Sequence, residues 1–318
     1  MKVSQLISTG SYLPQKVVTN QELAKMVDTS NEWILTRTGI TQRHIAADNE
    51  FTSHMATKAA ESALSKAKLS KDDIDLIIVA TTTPDKTFPS TAAIIQGNLG
   101  IKNAAAFDIQ AVCSGFIYAL TIANSMIKSG SSKNALVIGA EKMSSVVDWK
   151  DRATCVLFGD GAGAVILSAT PATDKTGIIS HEIFADGSLS NILHTSGGVS
   201  STKEAGHIVM QGREVFRHGV EKMYSSLVSL IKKSNLKLSD IDWFILHQAN
   251  LRIIDAIAKK LGASTDKFIL TLSKHANTSA ASIPLALDAF CDKFKKGDNI
   301  LLTAAGGGFT WGSLLLKW

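Results

Sequence analysis

Hydrophobic positions along this chain fall into two patterns. Short unbroken apolar runs, such as Leu76-Ile77-Ile78-Val79, Ala135-Leu136-Val137-Ile138, Phe244-Ile245-Leu246 and Ile300-Leu301-Leu302, are flanked by polar residues or glycine. Their length and content predict strands buried on both faces. Other stretches carry helical spacing. Phe216, Val220, Met223, Leu227 and Leu230 form one stripe along a predicted helix from Arg213 to Lys232. Another helix is predicted from about Leu251. Strands alternating with helices predict an α/β fold whose strands are covered on both sides.

The pattern repeats. Lys68-Leu69-Ser70-Lys71-Asp72-Asp73-Ile74-Asp75 leads into one apolar run, and Lys237-Leu238-Ser239-Asp240-Ile241-Asp242 leads into another. Matching Ile74 to Ile241 gives an offset of 241 − 74 = 167, and matching Leu136 to Ile300 gives 300 − 136 = 164. Units of roughly 165 residues are too long for a solenoid and indicate two copies of one α/β half. The boundary is placed in the stretch Ser168-Ala169-Thr170-Pro171-Ala172-Thr173, which reads as a connection. The expected halves are residues 1–172 and 173–318.

Composition narrows the classes. With 318 residues and 45% apolar content, the chain can bury a full core. The formal charge is +5, without any Lys/Arg run of the kind that binds nucleic acid. Three cysteines, Cys113, Cys155 and Cys291, are too few and too scattered for a disulfide framework or a zinc site. Cys155 and Cys291 read as buried and inert. No secretory leader and no membrane span is legible, so the cytoplasm is the expected compartment, with no membrane or nucleic-acid partner.

Carrying the offset of 164 from Cys113 leads to Asn277. Cys113 opens an apolar helical stretch, Ser114-Gly115-Phe116-Ile117-Tyr118, and a helix N-terminus favours a thiolate. His247 closes the run Phe244-Ile245-Leu246, at the strand end where α/β folds present catalytic groups. His247 and Asn277 can both donate hydrogen bonds to a developing oxyanion. Cysteine, histidine and asparagine also occur together in papain-like proteases, but the duplicated α/β pattern argues against that arrangement. Gly306-Gly307-Gly308, after a predicted strand Ile300–Thr303, lets the backbone approach a ligand closely. Phe158-Gly159-Asp160-Gly161-Ala162-Gly163 lacks the spacing of a dinucleotide fingerprint and reads as structural.

Together these segments resemble the β-ketoacyl-[acyl carrier protein] synthase III family. The resemblance is carried by Ala111-Val112-Cys113-Ser114-Gly115-Phe116, His247-Gln248-Ala249-Asn250, Asn277-Thr278-Ser279-Ala280-Ala281-Ser282, Gly306-Gly307-Gly308-Phe309-Thr310-Trp311-Gly312 and Thr29-Ser30-Asn31-Glu32-Trp33-Ile34-Leu35-Thr36-Arg37. It implies a homodimeric thiolase fold with αβαβα layers. It implies that Cys113 accepts an acyl group, usually acetyl, from acyl-CoA, and that His247 and Asn277 hold the thioester of malonyl-acyl carrier protein during decarboxylation. The N–H groups of Cys113 and Gly307 would form the oxyanion hole. Thr29, Trp33, Arg37, Arg152, Gly212 and Asn250 fall on CoA-binding positions, with Trp33 and Arg152 flanking the adenine. Phe88 falls on the residue that enters the partner subunit's acyl pocket. No metal or resident cofactor is implied.

Thr29 with Glu32 also fits a helix capping box. Two positions depart from the family pattern: His275-Ala276 stands where Tyr-Gly is frequent, and Val112 where alanine is common. On helix faces near the site, Arg217, Arg252, Lys259 and Lys260 are candidates for docking the acidic carrier protein, with Glu221 placed to pair with Arg217. Three other classes stay in view: a related synthase of specialised metabolism, a degradative thiolase and a non-catalytic acyl-binding module. The thiolase would need a second reactive cysteine near the C-terminal glycines, and none is there.

Overall fold

The unbroken apolar runs form adjacent parallel strands in two sheets. In the computed structural model, which describes residues 2–171 and 176–318, the first half contains β1 (Lys2–Tyr12), β2 (Lys16–Thr19), α1 (Asn20–Leu23), α2 (Asn31–Thr38), β3 (Gln42–Ile45), α3 (Thr52–Ala67), β4 (Leu76–Ala80), α4 (Thr91–Leu99), β5 (Ala105–Ile109), α5 (Gly115–Ser129), β6 (Asn134–Glu141), α6 (Arg152–Cys155) and β7 (Gly161–Pro171). The second contains β8 (Gly177–Ala185), β9 (Leu193–Thr195), β10 (Ile208–Met210), α7 (Gly212–Lys233), β11 (Trp243–Leu246), α8 (Leu251–Leu261), α9 (Leu272–His275), α10 (Ser282–Ala289), β12 (Asn299–Gly306) and β13 (Thr310–Lys317).

The sheets have the orders β1-β7-β6-β4-β5 and β8-β13-β12-β11. An isolated parallel bridge from Phe244 to Phe268 stands where the second half would have its counterpart of β5. The alternation of strand side chains separates the layers. Leu76, Ile78 and Ala80 of β4 face a central core shared with α5, α10 and the second sheet, whereas Ile77 and Val79 face α3 and α4. In the second sheet Ile300 and Leu302 face the central core, and Leu301 faces α7 and α8. The result is a thiolase fold: helices, sheet, helices, sheet, helices. A further cluster, formed by Ile34, Val156, Phe158 and Ile208 among others, builds a roof over the strand ends.

The duplication is real, but its register differs along the chain. Leu76 pairs with Ala135, and Trp243 with Ile300. The edge-to-centre match is therefore 243 − 76 = 167 for one strand and 300 − 135 = 165 for the next. At the turns before α5 and α10 the offset is again 167, because Val112 and Ser279 are both left-handed, with φ of +46° and +49° (279 − 112 = 167). Cys113 therefore corresponds to Ala280, and Asn277 to Gln110, two residues before the turn. The path from helix start to strand is two residues shorter in the second half, so an offset taken from β6 and β12 does not carry back to the turn. Asn277 reaches the site from the preceding loop, not as the mirror image of Cys113.

The expected connection after Ser168 also differs. Strand β7 continues to Pro171, because β1 pairs with it along its length, ending at Lys2 opposite Pro171. The proposed division between 172 and 173 lies outside the described residues.

The central layer leaves no room for side chains at two glycines. A Cβ on Gly139 of β6 would lie 2.3 Å from the Ala280 carbonyl oxygen, and one on Gly306 of β12 would lie 2.6 Å from the Cys113 nitrogen. Each half thus presses a glycine of its sheet against the other half's turn. Gly139→Ala is expected to destabilise the protein by about 1–3 kcal/mol, the scale of overpacking a tight core. An unchanged urea midpoint would refute this tight contact.

Candidate active site

The three residues singled out from the sequence meet in one cavity of about 690 Å³. Cys113, His247 and Asn277 all line it, and all are buried. Each is supplied differently. Cys113 sits in the single turn Val112–Ser114 that leads into α5. Val112, a β-branched residue at φ +46°, is in a strained conformation immediately before the cysteine. His247 follows β11, and its N–H donates to the Thr303 carbonyl at 2.8 Å, extending the strand pairing by one residue. The Asn277 backbone is held on both sides: its N–H donates to Leu157 O at 2.9 Å, and its carbonyl accepts from Gly159 N–H at 3.0 Å.

The polar atoms are aimed by neighbours. Ser282 Oγ lies 2.7 Å from His247 Nδ1 and accepts from the Gln248 N–H at 3.3 Å. With the Ser282 hydroxyl donating to Nδ1, the tautomer that carries its proton on Nε2 leaves that N–H free for a ligand. Burial pushes His247 down to about 3, so the ring is a neutral donor at physiological pH. Asn277 Oδ1 accepts from the Ser279 N–H at 2.9 Å. Its Nδ2 finds no acceptor among the described residues and is available to a ligand. The pair presents two neutral N–H donors, suited to a developing oxyanion.

The thiol contrasts with the sequence expectation of an acidic cysteine. Burial pushes Cys113 up to about 12; the Ser279 hydroxyl opposes the rise and the Glu141 carboxyl adds to it. Desolvation works against the helix N-terminus here, and the resting residue is a thiol.

Gly306 lines the cavity beside Cys113, whereas Gly307 packs against Leu193, where a Cβ would lie 2.7 Å from the carbonyl oxygen. At the mouth, Arg37 and Arg152 guanidinium carbons lie 4.9 and 5.1 Å from the Trp33 ring centre, so the indole carries both cations. Arg152 also donates to Asp28 O at 2.8 Å. Gly212 and Asn250 line the same cavity. Asn250 caps α8 by accepting from the Arg252 N–H at 2.9 Å. The cap of α2 is Ser30, which accepts from Trp33 N–H at 3.1 Å, so the helix starts one residue later than a Thr29 cap would place it and the box read for Thr29 with Glu32 does not form. The Thr29 hydroxyl is buried without a partner among the described residues.

Other candidates lie apart. Phe88 is 83% exposed and outside this chain's cavity. Arg217 pairs with Glu214 at 2.6 Å, not with Glu221. Arg252 reaches the cavity wall, while Lys260 covers Tyr224, with Lys259 beside it on α8. Cys155 is buried as expected, but Cys291 is partly exposed because it lies in the short turn after α10. Sequence reasoning missed Arg213, which joins Arg37 and Arg252 in the lining, and the orienting Ser282 and Ser279. Both serines lie in the Asn277–Ser282 motif, but only folding shows which atoms they meet. Among the described residues, no cluster of metal-ligating side chains occurs and no helix is long and apolar enough to cross a membrane.

Comparison with known proteins decides the family. Residues 107–187 match 3-Oxoacyl-[acyl-carrier-protein (ACP)] synthase III, and residues 231–318 match the C-terminal portion of the same family. A β-ketoacyl-[acyl-carrier-protein] synthase III from Wolbachia pipientis is 58% identical over 321 residues, covering 100% of both chains. The chain belongs to the synthase III family. The crystal structure of the Aquifex aeolicus 3-oxoacyl-[acyl-carrier-protein] synthase III shares 50% identity at a TM-score of 0.95, covering 99% of this chain and 100% of that one. A priming β-ketosynthase from a polyketide pathway is more distant, at 34% identity and a TM-score of 0.92, covering 99% and 97%. Synthase III proteins are acyltransferases that condense acyl units, which places this chain among enzymes and not among acyl-binding modules.

The buried thiol has a measurable consequence. Alkylation of Cys113 by iodoacetamide should rise about tenfold per pH unit from about pH 7 to about pH 9, since only the thiolate reacts. A plateau below about pH 8 would show that the helix N-terminus outweighs burial.

Proposed function

We propose that this chain joins an acyl group from acyl-CoA to malonyl-acyl carrier protein, giving 3-ketoacyl-carrier protein and initiating fatty-acid synthesis. The observation that carries this reading is one cavity lined by a buried cysteine, a neutral histidine and an asparagine amide. In the first half-reaction the Cys113 sulfur attacks the thioester carbon, the C–S bond to CoA breaks, and the thiol proton ends on the departing CoA. The acyl-enzyme is a thioester of similar energy. Backbone N–H groups at Cys113 and Gly307 hold the oxyanion in this reading, with Gly306 making room for the turn.

In the second half-reaction the malonyl thioester oxygen lies against His247 Nε2–H and Asn277 Nδ2. The carboxylate leaves as carbon dioxide, and the electron pair it leaves behind forms an enolate stabilised by both donors. The enolate carbon attacks the acyl carbon, the bond to Cys113 breaks, and the sulfur regains a proton. No metal or resident cofactor enters these steps. The 58% identical relative is named as a synthase III, whereas the polyketide enzyme is only 34% identical, which favours fatty-acid synthesis over a specialised pathway.

The mouth suits acyl-CoA as the first substrate. Arg37, Arg213 and Arg252 line it, and cations there complement CoA phosphates. Trp33 and Arg152 would part to admit the adenine, and Thr29, Gly212 and Asn250 complete that wall. Acetyl is the primer we favour. For assembly, β5 is an open edge of its sheet and Phe88 stands exposed near it, features that support a homodimer in which Phe88 enters the partner's acyl pocket. The free cysteines fit a reducing cytoplasm.

Separating the half-reactions tests the assignments. Cys113→Ala should take no label from radioactive acetyl-CoA. Asn277→Ala should keep acylation of Cys113 but lose decarboxylation by about 10²–10³, the worth of one preorganised donor. His247→Ala should lose decarboxylation likewise. Intact mass reports the acyl-enzyme, and carbon dioxide release from malonyl-carrier protein reports the second step. Wild-type carbon dioxide release by Asn277→Ala would sink its role.

Carrier-protein docking is assigned to Arg217, Arg252, Lys259 and Lys260. The double reversal Lys259→Glu/Lys260→Glu should raise KM for malonyl-carrier protein at low salt, by about tenfold, while acetyl transfer from CoA stays unchanged. Equal KM values would remove α8 from the docking face.

A further inference from the structure

Glu141, the last residue of β6, is completely buried and takes no part in the chemistry above. Its carboxyl group accepts hydrogen bonds from Thr81 Oγ1 at 3.2 Å, Thr82 N–H at 3.0 Å, Thr83 Oγ1 at 2.6 Å and Ser279 Oγ at 3.1 Å. The Thr82 hydroxyl lies 3.1 Å from both of its oxygens. The threonine protons are directed at the carboxyl group, because the oxygens are used elsewhere: Thr83 Oγ1 accepts from Lys142 N–H at 2.9 Å and Thr81 Oγ1 from Thr83 N–H at 3.1 Å. Among the described residues no cation pairs with Glu141. Burial pushes it up, and the surrounding donors pull it down.

The threonines belong to the first half of the chain and Ser279 to the second. Glu141 therefore ties the loop after β4 to the turn before α10. Ser279 is fully buried and held at φ +49°, a conformation that costs energy for a residue with a side chain. Its N–H is the donor that occupies Asn277 Oδ1. Without that bond the Asn277 amide could rotate and present its oxygen to the ligand in place of Nδ2. A buried carboxyl group is a costly way to hold a loop, and it persists when the geometry it fixes is specific.

We infer that Glu141 and Ser279 are positioning residues for the condensation: Glu141 anchors the Ser279 hydroxyl, and the Ser279 N–H thereby locks the Asn277 amide with Nδ2 toward the malonyl thioester. This rests on the reading of Asn277 as a donor in decarboxylation. The thiol offers a competing role for Ser279, since its hydroxyl also acts on Cys113. The two roles separate by half-reaction.

The experiment compares wild type with Ser279→Ala, Glu141→Ala, Glu141→Gln, Asn277→Ala and the double variant Ser279→Ala/Asn277→Ala. Acyl-enzyme formation from acetyl-CoA is followed by intact mass, and carbon dioxide release from malonyl-carrier protein gives kcat and KM. Ser279→Ala and Glu141→Ala should lower kcat for carbon dioxide release about tenfold, the scale of one buried hydrogen bond, with acylation rate and KM within about twofold of wild type. Glu141→Gln, which keeps the shape and an acceptor, should restore most of the loss. The double variant should release carbon dioxide no more slowly than Asn277→Ala, because the serine acts through the asparagine. Multiplying losses in the double variant would overturn the inference, as would an equal loss of acylation in Ser279→Ala. If Glu141→Ala does not fold by circular dichroism, the serine and double variants decide alone. A wild type that is acylated but releases no carbon dioxide would overturn both this inference and the assigned function. Wild-type release that Ser279→Ala leaves unchanged would overturn only the positioning role.

Discussion

The close approach of two left-handed turns at the centre of the molecule is the contact on which the site depends. Val112 and Ser279 both adopt positive φ, and the turn behind each is pressed against a glycine of the opposite sheet. Any side chain at Gly306 would collide with the Cys113 nitrogen, and any at Gly139 with the Ala280 carbonyl. Through this contact two halves with separate outer cores acquire one central layer, in which α5 and α10 share apolar neighbours from both sheets. Only with the halves at this spacing do a cysteine from one and a histidine and asparagine from the other open on the same cavity.

That geometry also sets the electrostatics. The site is deep enough that burial suppresses charge on both Cys113 and His247: the thiol is pushed up to about 12 and the imidazole down to about 3. A site of neutral donors is matched to a step in which negative charge appears transiently on a thioester oxygen, since the donors gain most when that charge develops. Charge is kept to the mouth, where Arg37 and Arg152 flank Trp33. The division between a charged entrance and a neutral interior follows from depth, because exposed cations cost little to maintain and buried ones a great deal.

Much of this was legible in the residues. The unbroken apolar runs announce strands covered on both faces, because only such strands can omit polar alternation. The recurrence of Ile74 and Ile241 in the same polar setting announces the duplication, and the helical stripe ending at Leu230 announces α7. Cys113, His247 and Asn277 stand out because each ends or begins an element, where side chains can leave the core. Their family motifs identify the chemistry without coordinates.

Tertiary structure decided what depends on atoms far apart in sequence. The offset of 164 paired Cys113 with Asn277, but the fold pairs it with Ala280: Ala135 and not Leu136 matches Ile300, which adds one residue, and the path from turn to strand is two residues shorter in the second half, which adds two. The thiol's resting state followed from burial, which no local motif reports. Ser282 against His247, Ser279 against Asn277 and Glu141 beneath Ser279 lie 35, 2 and 138 residues apart, and only the shortest of these separations is visible in a motif. A sequence names the groups that can react; which proton each carries, and where it points, is set by neighbours that the chain meets only after it has folded.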